Sequence, residues 1–165
     1  MRIIFLSKPL TIVLCFILWG IIQAGTALIC IHLPERFFDP DSFLYRTHRF
    51  EKNGEFYKSV FKVRSWKGLL PDGGALWSKK GFRKKNLKDM SIENLRRYLI
   101  ESARGEMTHW MAISAFWVFG FFTPIYVLWM MLAYALALNL PCIIAQRYNR
   151  PRIRRILLKK IRNEA

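Results

Sequence analysis

Two polar motifs flank the longest charge-free stretch of this chain: Glu106-x-x-His109-Trp110 opens it, and Gln146-Arg147-Tyr148-Asn149-Arg150-Pro151-Arg152 closes it. Glu and His three residues apart on a helix can bring their side chains together. A carboxylate that orients an imidazole is a common way to prepare a general base for an alcohol. The plainer alternative is that both residues cap the water-facing end of a membrane span. That plainer reading carries somewhat more weight from the spacing alone, but function stays close behind it because Ile92, Leu95, Leu99, Ala103, Glu106 and Trp110 fall along one slowly drifting helical face, which puts Glu106 on the less polar side. Ionisable groups at membrane depth usually have a job. In the second motif, three arginines and an asparagine surround one proline. The planar guanidinium fork suits phosphate or pyrophosphate, so a headgroup, coenzyme A or a carrier protein's phosphopantetheine is the expected partner. A simple basic anchor is the rival reading, to which Asn149 and Gln146 would add nothing. A metal site would need a second Glu-x-x-His and further carboxylates; His48 and Glu51 offer only the reverse order.

The elements that must position these motifs follow from the charge pattern. Trp110 to Ala145 is 36 residues without Asp, Glu, Lys, Arg or His. One span needs about 20 apolar residues, so the stretch is too long for one straight helix and just enough for two short ones. Gly120-Phe121-Phe122-Thr123-Pro124 supplies the break, because proline cannot donate into a continuing helix. The resulting hairpin returns both motifs to one face, with limbs of about 24 Å against a bilayer core of about 30 Å, short enough to imply thinning or a re-entrant path. A second run, Pro9 to Leu33, is long enough to span and follows a short basic start. It reads as a retained anchor, with a cleaved signal peptide ending near Gly25-Thr26-Ala27 as the alternative.

Of the 27 Lys and Arg, two precede residue 9, 17 lie between Pro34 and His109, and eight follow Ala145. Basic flanks stay cytoplasmic, so the central region and the tail share that side and the N-terminus lies outside. A net charge of +16 with 53% hydrophobic residues fits an anionic lipid surface better than nucleic acid. Cys15, Cys30 and Cys142 lie in apolar segments and read as small buried hydrophobes without a disulfide framework.

Between the spans, the pattern predicts a helix over Gly54 to Lys67, with Phe56, Val60 and Val63 as one ridge and Tyr57 and Phe61 as another. Such a helix can lie in the headgroup plane, with Trp66 and Trp77 at the interface. Leu70-Pro71-Asp72-Gly73-Gly74 is a turn signal. Ser91 can cap a helix beginning at Ile92, and Glu93, Arg97 and Glu101 form a solvated charge ladder. Beyond Pro151, Ile153, Ile156, Leu157 and Ile161 make an apolar stripe opposed by Arg154, Arg155, Lys159 and Arg162, as in a cationic helix resting on headgroups. The expected architecture is an all-α integral membrane protein: an N-terminal membrane anchor (1–33), a basic cytoplasmic interfacial region (34–108), a short transmembrane or re-entrant hairpin (109–146) and a basic amphipathic tail (147–165).

Phe50-Glu51-Lys52-x-Gly54, Val63-Arg64-x-Trp66-Lys67, Leu70-Pro71-Asp72-Gly73, Glu106-x-x-His109-Trp110 and the closing heptapeptide Gln146 to Arg152 occur in that order. Together they resemble the bacterial glycosyl-4,4'-diaponeurosporenoate acyltransferase family of staphyloxanthin-type carotenoid synthesis, over roughly Phe50 to Arg155. The resemblance implies transfer of a fatty acyl group to a sugar hydroxyl of a glycosylated isoprenoid or related glycolipid at the bacterial cell membrane. The His-x-x-x-x-Asp acyltransferase signature is missing, since Ser114 follows His109 at that spacing and Asn53 follows His48.

On this reading His109 is the base and Glu106 its orienter. Arg147, Arg150 and Arg152 hold donor phosphates, Asn149 or Gln146 donates to the developing oxyanion, and Trp110 and Asp72 complete the substrate-binding set. No cofactor is bound; acyl-CoA or acyl-carrier protein is the donor substrate. The partners are the bilayer and a lipid-linked glycoside acceptor, with no role for nucleic acid. The rival is a non-enzymatic membrane subunit that binds lipid or anchors a biosynthetic partner.

Overall fold

A computed structural model describes residues 2–70 and 90–164. Asp72 and Trp77 therefore lie outside the described residues. All regular structure among the described residues is helical.

Helix α1 (Lys8–His32) carries its proline in the first turn, where the missing N–H is no loss. It stops at Leu33 because the following Pro34 forces extended backbone on its predecessor, here φ −69 and ψ 139. Short 3-10 turns at Glu35–Phe38 and Arg49–Gly54 lead into α2 (Glu55–Val60) and α3 (Val63–Trp66). Helix α4 (Ile92–Ser114) starts at the expected cap, with Ser91 Oγ accepting from the Asn94 N–H at 3.3 Å. It tightens into a 3-10 segment, Ala115–Phe121, before the chain turns at Phe122 to Pro124 and enters α5 (Ile125–Glu164).

The hairpin exists, but its limbs are unequal. The second limb is the first half of an unbroken 40-residue helix that continues through Pro141 and Pro151. Its charge-free part, 125–145, rises about 31 Å, which matches a bilayer core without thinning. Helix α1 and this part of α5 are long and apolar enough to cross a membrane. Their large side chains stand largely exposed, among them Ile12, Phe16, Ile17 and Ile21 on α1 and Tyr126, Trp129 and Met130 on α5. An apolar belt of this kind is what a lipid-facing surface presents.

Layers of side chains join α1, α4 and α5. Trp19, Phe119, Phe122 and Ala135 close the end nearest the hairpin turn. Cys30, Phe38, Tyr45 and Ala103 form the next cluster. The N-terminal segment is tied to the turn by the N–H groups of Ile3 and Ile4, which donate to the Phe121 carbonyl at 2.8 and 3.0 Å. The N-terminus and the hairpin turn therefore share one end of the bundle, opposite the basic segments.

Two expectations for the polar segments are corrected. The helix expected over Gly54 to Lys67 is broken by Lys62, which takes a left-handed conformation at φ 48. Tyr57 and Val63 pack inward against Tyr148, while Val60 and Phe61 are exposed and form no buried ridge. The tail is not a separate helix on headgroups. Leu157, flanked by Ile153 and Ile161, packs on Leu95 and Leu99 of α4, so the stripe is used up in an antiparallel helix pair, and only Ile156 of the four remains exposed.

Candidate functional site

The ion-pair cluster is built around Glu106, one turn before α4 enters its apolar half and only 1% exposed. Its Oε1 accepts from Arg147 Nε at 2.7 Å, with Arg147 Nη2 at 2.6 Å, and its Oε2 accepts from Arg150 Nη2 at 2.8 Å. Arg147 also donates through Nη1 to Glu51 Oε1 at 3.2 Å and through Nη2 to the Leu44 carbonyl at 2.5 Å. Arg150, 3% exposed, donates to the carbonyls of Tyr45 at 2.8 Å and Ser102 at 3.1 Å. Two carboxylates thus face two guanidiniums, and charge-assisted bonds offset the cost of taking all four from water. Burial disfavours the Arg147 cation, but Glu106 and Glu51 outweigh it and hold that charge more firmly than usual.

Glu51 is placed by its local backbone. It closes a capping box with His48, whose N–H donates to Oε2 at 2.7 Å. Lys52, Asn53 and Gly54 follow in succession at positive φ, turning the chain back so that Gly54 lies against the Tyr148 carbonyl of α5. Tyr57 then donates its hydroxyl to Glu51 Oε1 at 2.5 Å. Burial and that bond push the Tyr57 phenol well above its ordinary range, so it stays protonated. The cluster clamps the polypeptide from Leu44 to Tyr57 onto α4 and α5.

His109 does not use Glu106, which corrects the pairing expected from their spacing. Its Nδ1 lies 2.8 Å from Oδ1 of Asn139 on α5. The Asn139 amide is oriented by its Nδ2, which donates to the Ala135 carbonyl at 2.9 Å, and Gln23 of α1 donates to the same Oδ1 at 3.3 Å. An oxygen can only accept, so the proton between the rings and amide sits on Nδ1. The lone pair of the neutral imidazole is therefore on Nε2, which has no protein partner among the described residues. A base nitrogen with its other nitrogen anchored is the arrangement that activates an alcohol.

The remaining expected residues divide among several neighbourhoods. Arg147 and Arg150, expected to hold donor phosphates, are engaged here by carboxylates and backbone carbonyls. Arg152 lies apart from them and donates to the Tyr148 hydroxyl at 2.6 Å. Asn149 Oδ1 accepts from Lys67 Nζ at 2.9 Å. Gln146 projects toward α4, where a Cβ on Gly105 would stand 3.2 Å from its Nε2. Trp110 donates weakly to Glu106 at 3.4 Å and leaves its ring 45% exposed.

Spacing alone does not point to Glu51, Tyr57 or Asn139, which the fold brings to Glu106, Arg147 and His109. Asn139 had a signal, being the single carboxamide between Trp110 and Ala145. Glu51 stands in one of the motifs that carry the family resemblance, whereas Tyr57 had no signal of its own.

Comparison with known proteins bears on what this geometry serves. The family model for glycosyl-4,4'-diaponeurosporenoate acyltransferase matches residues 40–159. A glycosyl-4,4'-diaponeurosporenoate acyltransferase from Staphylococcus aureus strain MRSA252 is 32% identical over 143 residues, covering 87% of this chain and 86% of that protein. The protein of the same description from S. aureus strain bovine RF122 / ET3-1 matches with the same identity and coverage. No solved structure matches.

Proposed function

Because the chain belongs to the glycosyl-4,4'-diaponeurosporenoate acyltransferase family, and is an acyltransferase rather than a non-enzymatic subunit, we propose that it moves a fatty acyl group from a thioester to a sugar hydroxyl of a glycosylated carotenoid or related isoprenoid held in the bilayer. Helix α1 and the apolar half of α5 span the bacterial cell membrane, and the shorter limb 110–121 enters it beside them. The basic segments face the cytoplasm, where an acyl-CoA or acyl-carrier protein would approach, and no resident cofactor takes part.

The observation that carries the mechanism is the His109–Asn139 pair. His109 Nε2 takes the proton of the sugar hydroxyl as its oxygen attacks the thioester carbonyl. The tetrahedral intermediate then expels the thiolate as the C–S bond breaks, and the imidazolium returns the proton to sulfur. Asn139 replaces Glu106 as the positioning residue, holding Nδ1 protonated while Gln23 and the Ala135 carbonyl hold Asn139. Gln146 lies seven residues after Asn139, two turns along the same face of α5. With its amide turned toward α4, it is the donor assigned to the developing oxyanion. The exposed ring of Trp110 offers an apolar contact for the acceptor beside His109.

The test is turnover in lipid nanodiscs with a glucosylated carotenoid acceptor and a long-chain acyl-CoA. His109→Ala should lower kcat by about 10²–10⁴-fold with normal membrane insertion. His109→Gln should fail equally, because an amide cannot accept the proton at neutral pH. Asn139→Leu should lower kcat while leaving the acceptor KM near wild type. A loss below about tenfold in His109→Ala would remove His109 as the base.

A further inference from the structure

Arg147 and Arg150 are neutralised by Glu106 and Glu51, while two further arginines meet at Tyr148 of α5. Arg64 of α3 donates through Nε to the Tyr148 hydroxyl at 3.1 Å, and Arg152 donates through Nη1 to the same oxygen at 2.6 Å. The two donor nitrogens can therefore be no farther apart than those two bonds placed end to end. Arg152 lies over the Tyr148 ring at 5.0 Å from its centroid, and Lys67 Nζ lies over that ring at 4.9 Å. Among the described residues, no carboxylate lies within ion-pair distance of Arg64 or Arg152. The nearby Glu55 is exposed and engaged by Lys58 at 2.7 Å.

Two guanidiniums that donate to one phenol oxygen repel one another, and an anion between them relieves that repulsion. The phenol adds a second sign of an absent ligand. Its oxygen accepts from two guanidiniums, while its own O–H has no acceptor among the described residues, although Tyr148 is only 1% exposed. A buried hydroxyl normally finds an acceptor. A phosphate oxygen at this point would accept from Tyr148, Arg64 and Arg152 together. The scaffold is rigid, since Tyr148 packs between Tyr57 and Val63, and Gly54 lies against its carbonyl.

We infer that Arg64 and Arg152, gathered around Tyr148, bind a phosphate group of the acyl donor. This rests on the thioester-donor reading above and relocates the donor's anchor from the buried Arg147 and Arg150 to this cluster. The donor class is a phosphopantetheine thioester, whose phosphate ester occurs in both coenzyme A and carrier proteins. From Tyr148 to Asn139 is nine residues of continuous helix, about 14 Å along the axis. An extended pantetheine arm covers that distance with length to spare for passing around α5.

The experiment compares acyl-CoA with acyl-pantetheine, which carries the same thioester without phosphate, on the full chain in nanodiscs. Wild type should prefer acyl-CoA in kcat/KM, through KM, and the preference should shrink as salt rises. Arg64→Gln and Arg152→Gln should each lower that preference about tenfold, the effect of one lost charge-assisted bond. A purely structural role would lower both substrates together, keep the preference intact and overturn the proposal. Nanodiscs of phosphatidylcholine alone, against ones containing phosphatidylglycerol, separate the two phosphate sources. A variant effect seen only with the anionic lipid makes the cluster a headgroup site and overturns the donor assignment. Direct titration with free coenzyme A separates this proposal from the chemistry. Binding weakened in the variants supports the phosphate site even if neither thioester turns over, an outcome that would instead sink the thioester-donor reading.

Discussion

Replacing Glu106 by Gln separates a clamp from a catalytic carboxylate. Glu106 and Glu51 together balance Arg147 and Arg150, so the substitution leaves one net positive charge in a site where Arg150 is 3% exposed. Removing one partner of a buried pair costs about 3–5 kcal/mol, mainly because the other charge is left uncompensated. Arg150 keeps its bonds to the Tyr45 and Ser102 carbonyls, which argues for the lower part of that range. At roughly 2–4 °C per kcal/mol for a chain of this size, a loss of about 3–4 kcal/mol should lower Tm by roughly 6–16 °C. Thermal unfolding in detergent micelles, followed by circular dichroism, reads the shift, with Glu55→Gln as an exposed control expected to melt like wild type. Adding Arg150→Gln removes the excess charge, so the double variant should recover about 1–3 kcal/mol relative to the sum of the single losses. The reasoning is refuted if Glu106→Gln melts within about 2 °C of wild type, a shift worth no more than about 1 kcal/mol, yet loses turnover. That pattern would return Glu106 to the chemistry.

Two other outcomes follow from the fold. In a background without Cys15, Cys30 and Cys142, a single cysteine at Ser7 should label from the side of the membrane opposite to one at Asn163, because α1 and α5 run parallel from the turn end; same-side labelling would contradict the three-limb arrangement. Gly54→Ala should destabilise by about 1–3 kcal/mol, because position 54 holds φ 92 and the new Cβ would stand 3.1 Å from the Tyr148 carbonyl. An unchanged melting temperature would mean that the 52–54 turn can relax.

Local chemistry is what the residues determined by themselves. The ends of the apolar stretches, the stop of α1 before Pro34, the Ser91 cap and the break before Pro124 each depend on a few neighbours in sequence, and each is found where those neighbours place it. The motifs were also sufficient to indicate the family. Helical spacing showed that Glu106 and His109 were able to meet, but it carried no information about competing partners. A buried carboxylate is stabilised most by the cations that can offer several charge-assisted bonds, and these came from Arg147 and Arg150, 41 and 44 positions away. His109 was left to Asn139, 30 positions away, and so gained a fixed tautomer rather than a charged neighbour. The tail stripe was likewise visible as apolar, but α4 covered it because the unbroken α5 held Leu157 beside Leu95 and Leu99. Periodicity specifies which faces must be buried; the path of the chain in three dimensions decides which surface buries them and which of several possible partners a desolvated polar group receives.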